Sequence, residues 1–310
     1  MKVRKKDFMK NQLTIGVDTG NRCMKTKNFT FDSGLKKESS KPLLDIEFVK
    51  YNGDYYTLTN KRIPYMEDKT ETDGYFILTL FAIAKEIVHR NIDCSAAITI
   101  TLAVGLPPAH IGRLKNSFTQ YFKRDYIRFE YNDRMIVVKI EDVLLFPQGY
   151  AAILPYFQEV AKAPKAYIVD IGGYTTDVIL LRNGEIDMSF CESFDLGVIE
   201  FFNELNMKLK RDFGRIPDEK QIESAIIQKQ KLFKNMTERI NEEAEIYTKN
   251  LLRKLNELGV DLVLSKGLFI GGGSLLFHHF IEASDYVFEP YFIKNVSANA
   301  EGYEYLANLR

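Results

Sequence analysis

The chain is poor in cysteine, has no surplus of either charge and carries no long apolar run. Its three cysteines, Cys23, Cys94 and Cys191, lie far apart. An odd, scattered set makes no disulfide framework and shows no zinc-ligand spacing; a reducing cytoplasm suits it. Lys+Arg and Asp+Glu number 42 each, a formal net charge of +0. Without a global field, bulk binding to nucleic acid or anionic membrane is disfavoured. No apolar stretch reaches the roughly 18 residues of a membrane helix. The opening MKVRKKDFMKNQ is basic but has no apolar segment behind it, so it is no secretory signal. Residues 1–12 read as a solvated tail. The 4 histidines offer no ligand set: His278 and His279 are neighbours and diverge by about 100° on a helix. No Cys–His pairing suggests a nucleophile.

What is present is ordinary globular composition, 45% hydrophobic and 27% charged over 310 residues. That length suggests roughly two domains. Residues 13–18 read as a buried strand ending in an acid, followed by a Thr19-Gly20-Asn21 turn and a strand towards Phe31. Asn52-Gly53 marks a hairpin within 46–58. Residues 75–90 read as a buried helix, 96–105 as a strand covered on both faces, 110–124 as an amphipathic helix and 126–146 as strands around Asn132-Asp133. A helix is expected at 148–160. Strands at 165–171, 176–181 and 185–190 follow, then a helix at 197–212. The charged run 218–258 lacks Gly and Pro and reads as helical throughout. A strand at 267–270, a glycine turn at 271–273, a helix from 274 and a last helix at 298–308 complete the chain. The alternation gives an α/β fold.

One plan occurs twice. Ile15-Gly16-Val17-Asp18-Thr19-Gly20 and Ile168-Val169-Asp170-Ile171-Gly172-Gly173 each run apolar strand, Asp, one residue, Gly, half the chain apart. Two halves that each present an acidic hairpin suggest two lobes with a cleft between them. Such hairpins suit a polyphosphate. Glycine lets backbone N–H groups come close, and magnesium prefers a few carboxylates with retained water. Asp18 and Asp170 are the metal candidates. Gly20 and Asn21 shape the first hairpin; Gly172, Gly173, Tyr174 and Thr175 shape the second. Lys25 is a point charge for phosphate. Gly271-Gly272-Gly273-Ser274, between strand and helix, can seat a ribose or α-phosphate. Each has a plainer alternative: turn acids, an exposed lysine, a tight glycine turn. There is no G-x-x-x-x-G-K-[ST] and no G-x-G-x-x-G after the first strand, which disfavours Walker and Rossmann sites.

These segments resemble the actin/Hsp70/sugar-kinase ATPase superfamily. IGVDTGNRCMKT is similar to its first phosphate motif, YIVDIGGYTTDVILLRNG to its second and GLFIGGGSLLF to its adenosine motif. FPQGYAAI and ANAEGYEYLA are similar to its two connecting helices. The order is the family's and the segments span 13–307. The nearer resemblance is to bacterial actin-like ParM/StbA plasmid-segregation proteins, through D-x-G-x-x-x-x-K at 18–25, F-P-Q-G at 146–149 and A-N-A-x-G-Y at 298–303. The resemblance implies an actin-like fold of two duplicated ribonuclease H-like lobes. The ranges would be 13–155, then 156–290 with its helical 216–258 region, and 291–310 returning to the first lobe. ATP, or GTP in its place, would bind with Mg²⁺ in the cleft. It further implies a cytoplasmic ATPase whose helical filaments, governed by hydrolysis, move plasmid DNA through an adaptor on centromeric DNA. Neither direct sequence-specific DNA binding nor membrane binding is implied.

By position, Asp18 and Asp170 resemble the metal-sphere acids, with Thr19, Gly20, Asn21 and Lys25 in the first motif. Gln148 stands where actins orient the attacking water; several relatives carry Glu there. Gly172, Gly173, Tyr174, Thr175 and Thr176 resemble the γ-phosphate hairpin, with Asp177 behind it. Gly197, Lys220, Glu223, Gly271, Gly272, Gly273 and Ser274 are the remaining nucleotide contacts implied. The rival readings are a small-molecule kinase or other ATPase on the same fold, a chaperone-like ATPase, and a cell-shape or division actin homologue.

Overall fold

The computed structural model describes residues 12–43, 45–156 and 163–310. The basic tail up to residue 11 and the last part of the expected 148–160 helix lie outside the described residues. The chain divides into two units. One ends at Ala152 and takes back Ser297–Arg310; the other is Ile153–Val296. The boundaries expected at 155/156 and 290/291 therefore move. The second moves because Tyr291–Phe292 still add a strand to the second unit's sheet.

The first unit opens with β1 (Gln12–Thr19), whose Leu13, Ile15 and Val17 are buried. Antiparallel β2 (Cys23–Lys25) and β3 (Thr30–Asp32) follow. The one strand expected towards Phe31 is two, because the Thr26 N–H bonds the Phe29 carbonyl at 2.8 Å and turns the chain. Then come β4 (Gly34–Glu38), β5 (Phe48–Tyr51) and β6 (Asp54–Arg62). Asn52 and Gly53 both take positive φ, 52° and 89°, the geometry a two-residue hairpin turn needs. α1 (Gly74–His89) is apolar nearly all round and is buried nearly all round, as such a helix must be. β7 (Ile98–Leu106), α2 (Pro108–Phe122), β8 (Ile127–Tyr131), β9 (Arg134–Pro147) and short α3 (Tyr150–Ile153) complete the run. The expected 148–160 helix gives way to a 3₁₀ turn at Leu154–Tyr156, since Pro155 has no N–H for the helical ladder. The sheet order is β3-β2-β1-β7-β9-β8-β5-β6-β4. The C-terminal helix Ala298–Asn308 packs on β1, β7 and β9.

In the second unit, β10 (Lys165–Ile171), β11 (Thr176–Arg182) and β12 (Glu185–Phe194) form an antiparallel meander. Its helices are α4 (Val198–Phe213), α5 (Glu219–Ile227) and α6 (Met236–Glu257). β13 (Lys266–Ile270), α7 (Gly271–Leu276), α8 (His278–Glu282) and β14 (Tyr291–Phe292) follow. Two expectations are corrected. The run 218–258 is not one helical stretch but breaks at 228–235. There the Thr237 hydroxyl accepts the Leu232 N–H and donates to the Gln230 carbonyl, both at 2.8 Å, which satisfies backbone groups outside a helix. Gly271–Gly273 is not a separate turn but the first turn of α7. The sheet order is β12-β11-β10-β13-β14. Its pairings run antiparallel, antiparallel, parallel, parallel, and so do those of β3-β2-β1-β7-β9. The duplication read from two short motifs thus extends over five strands in each unit. No helix among the described residues is long and apolar enough to cross a membrane.

Candidate functional site

Both acids sit one residue before the end of the first strand of their unit. Asp18 is 4% exposed and Asp170 3%. In the first unit the antiparallel register sets Asp18 opposite Lys25, and Lys25 Nζ donates to Asp18 Oδ2 at 3.0 Å. The turn between them is held from three sides. Ser33 Oγ donates to the Gly20 carbonyl at 2.5 Å, Tyr75 donates from its hydroxyl to Asn21 Oδ1 at 2.8 Å, and Lys69 Nζ donates to the Thr19 carbonyl. Lys69 was not legible in sequence; a lone lysine in a polar loop carries no motif. Burial pushes the Cys23 thiol up despite nearby Arg22 and Lys25, so it is no ready nucleophile.

Gln148 belongs to the same unit. Parallel β1, β7 and β9 pair Val17 with Val104 and Leu106 with Pro147, so Asp18 and Gln148 lie at one end of three adjacent strands. The Gln148 N–H bonds the Leu106 carbonyl at 2.9 Å. The Gly149 N–H, at φ 80°, bonds Asn299 Oδ1 at 2.8 Å. The F-P-Q-G and A-N-A-x-G-Y segments are therefore two parts of one device: the C-terminal helix fixes the turn that carries Gln148.

In the second unit the register pairs Asp170 with Asp177. The hairpin between them closes through Gly172 N–H to the Thr175 carbonyl at 2.8 Å, and Thr175 Oγ1 donates to Asp177 Oδ2 at 3.3 Å. The Thr176 hydroxyl donates to the Leu196 carbonyl at 2.5 Å. The start of α4 grips the hairpin: the Val198 and Ile199 N–H groups bond the Gly172 and Gly173 carbonyls at 3.1 and 2.9 Å. Gly197 is required there, because a Cβ would lie 2.2 Å from the Gly173 oxygen. Its own carbonyl accepts the Tyr247 hydroxyl at 2.9 Å, a contact that no motif announced. Gly271, at φ +85°, follows the β13 residue paired with Asp170, and a Cβ on it would lie 2.4 Å from Asp170 Oδ1. A Cβ on Gly272 would meet nothing within 4 Å. Ser274 is spent on the Ile270 carbonyl at 2.5 Å. Exposed Lys220 and half-buried Glu223 lie on α5, which packs against α7.

Each unit thus brings its own candidates together: Asp18, Thr19, Gly20, Asn21, Lys25 and Gln148 in the first, the remainder in the second. Among the described residues no group of three or more His, Cys, Asp and Glu side chains is placed to hold a metal. One carboxylate in the first hairpin, Asp18, and the cross-strand pair Asp170 and Asp177 in the second are hard oxygen donors of the kind that fits magnesium, which keeps most of its water.

Residues 16–150 match the family of actin like proteins, N-terminal domain, and residues 168–283 match the C-terminal domain of the archaeal actin homologue MreB-like family. Among solved structures, the archaeal actin homologue Ta0583 is 17% identical, with a TM-score of 0.76 over 96% of this chain and 100% of its own. The same protein in complex with ADP aligns at 16% identity and a TM-score of 0.75, over 96% and 100%. A ParM from Clostridium botulinum, solved as a 15-stranded filament, is 19% identical with a TM-score of 0.75 over 97% and 100%. No protein of curated function matches the sequence. Two units with the same five-strand plan, each with an acid at its hairpin, define the two-lobed α/β class. Within that class, the chain belongs to the actin-like proteins.

Proposed function

We propose that the chain is a cytoplasmic, ATP-binding, filament-forming protein whose hydrolysis of ATP controls filament dynamics and drives plasmid DNA segregation. The observation that carries this reading is the pair of hairpins, each with one buried carboxylate at the same strand position, with Gly271 pressed against Asp170 in the second. Two hairpins of open backbone and two hard oxygen donors suit a magnesium nucleotide. Asp18 and Asp170 would hold the ion, which when bound neutralises phosphate charge. Lys25 adds a cation at the first hairpin. Gly172, Gly173, Tyr174, Thr175 and Thr176 present the second to the phosphates. Gly272, where a Cβ would meet nothing within 4 Å, leaves room for the nucleoside side; Gly197, Gly271 and Gly273 pack the elements that would flank it, and Lys220 and Glu223 would border it. Gln148 orients water; an amide positions and does not deprotonate. The ADP complex of the archaeal homologue and the filament of the clostridial protein support nucleotide binding and self-association. Cargo DNA would be reached through an adaptor.

Titration with a fluorescent ATP analogue tests the binding step. Saturable binding in magnesium, weakened at least about tenfold by EDTA or by Asp170→Ala, is expected. Equal binding by wild type and Asp170→Ala would sink this assignment of the site.

A further inference from the structure

We propose that Glu86 of α1 is a positioning residue that sets where Lys25 stands at the first hairpin. The inference rests on the nucleotide reading above. Glu86 is fully buried, at 0% exposure. Its Oε1 accepts the Thr26 hydroxyl at 2.5 Å and the Asn28 N–H at 3.1 Å. Its Oε2 accepts Asn28 Nδ2 at 2.8 Å and Arg90 Nε at 2.7 Å. Thr26, also at 0% exposure, follows Lys25 directly and closes the 26–29 turn by accepting the Phe29 N–H at 3.1 Å. The carboxylate therefore pins the end of β2 at the residue next to Lys25.

The other strand of the hairpin is pinned from the same cluster. Arg90 Nη1 donates to the Thr14 carbonyl at 3.1 Å, and Arg90 Nη2 donates to Glu304 Oε2 at 2.7 Å. Glu304, on the C-terminal helix, accepts the Gly16 N–H at 3.3 Å. One guanidinium between two carboxylates thus fixes β1 through Thr14 and Gly16, and β2 through Thr26 and Asn28. A buried ion cluster is a poor source of net stability, because desolvation offsets its Coulombic gain. Fully satisfied, however, it fixes a geometry. Lysine needs such help, since its four-carbon stem lets the ammonium wander. With the backbone fixed, Nζ stays 3.0 Å from Asp18.

The test is a double-mutant cycle on Mg-ADP affinity in the full chain, read with a fluorescent ADP, alongside thermal unfolding without nucleotide. The variants are Lys25→Ala, Thr26→Val, the Lys25→Ala/Thr26→Val pair, Asn28→Ala and Asp18→Ala. Thr26→Val is expected to weaken binding about tenfold, the worth of one hydrogen bond to a charged group. In the Lys25→Ala background the same change should move affinity less than about twofold, because the residue it positions is gone. Asn28→Ala alters an exposed side chain; it tests the same claim if Thr26→Val does not fold, and it too should weaken binding only where Lys25 is present. Wild-type affinity in both Thr26→Val and Asn28→Ala overturns the inference, as does an equal loss with and without Lys25. Asp18→Ala separates the two claims. If it binds like wild type, the nucleotide reading falls and the inference with it; if it loses binding while the clamp variants do not, the clamp alone falls.

Discussion

Gly271 and Gly197 leave no room for a side chain, and both crowd the second hairpin. A Cβ at 197 would lie 2.2 Å from the Gly173 oxygen, a backbone atom with no freedom to move aside. Gly197→Ala is therefore expected to cost about 1–3 kcal/mol, the usual penalty of overpacking, in urea denaturation, and to weaken nucleotide binding at the same time. Full stability in that variant would mean that the hairpin is not gripped there. Gln148 is the opposite case: half-buried, with its backbone tied to Leu106 and its successor to Asn299. Gln148→Ala should keep nucleotide binding and slow phosphate release by roughly a hundredfold. Equal turnover would remove its assigned role. Gly271 was legible as part of a glycine run between strand and helix, whereas Gly197 and Gln148 were reached only through the resemblance to the actin-like family. Sequence reading missed Lys69 and Tyr247, which reach a hairpin-side carbonyl from distant parts of the chain and belong to no motif.

The elements show the same division between what was legible and what was not. Asn52-Gly53 and Asn132-Asp133 announce their hairpins because both residues of each pair accept positive φ. The break at 228–235 was hidden, since side-chain capping by Thr237 and left-handed lysines at 229 and 234 leave no Gly or Pro to mark it. The cluster joining α1, the first hairpin and the C-terminal helix was hidden too, because its members lie far apart in the chain. It has a pH signature. Burial pushes the Glu86 carboxyl up, but hydrogen bonds from Thr26 and Asn28 and the Arg90 guanidinium outweigh this and hold it below the ordinary carboxylate value. A carboxyl lowered by folding contributes stability above its unfolded value of about 4.3 and loses it as pH falls through the folded value. Glu86→Gln removes that contribution. Its unfolding midpoint should therefore fall less steeply than the wild type's between about pH 6 and about pH 3; parallel curves would contradict the linkage.

At the scale of the whole molecule, the repeated five-strand plan is the largest regularity, and two motifs of six residues were enough to point to it. Local patterning sufficed there because each motif combines a buried strand, an acid and a turn, and those three constrain one another. The edge of the first sheet, β8-β5-β6-β4, has no counterpart among the described residues of the second unit, and only its hairpin turns were marked in the sequence. Assembly is the property that patterning reaches least, since a surface for a second copy needs no special residue. The measurement that tests the central claim most directly is 90° light scattering of the purified protein with Mg-ATP, Mg-ADP and EDTA in parallel, with released phosphate followed in the same samples and Asp170→Ala as control. The account predicts a rise with Mg-ATP that decays as phosphate appears, absent in the variant and in EDTA. Phosphate release with no rise at any protein concentration would contradict it and leave a monomeric ATPase on an actin-like fold.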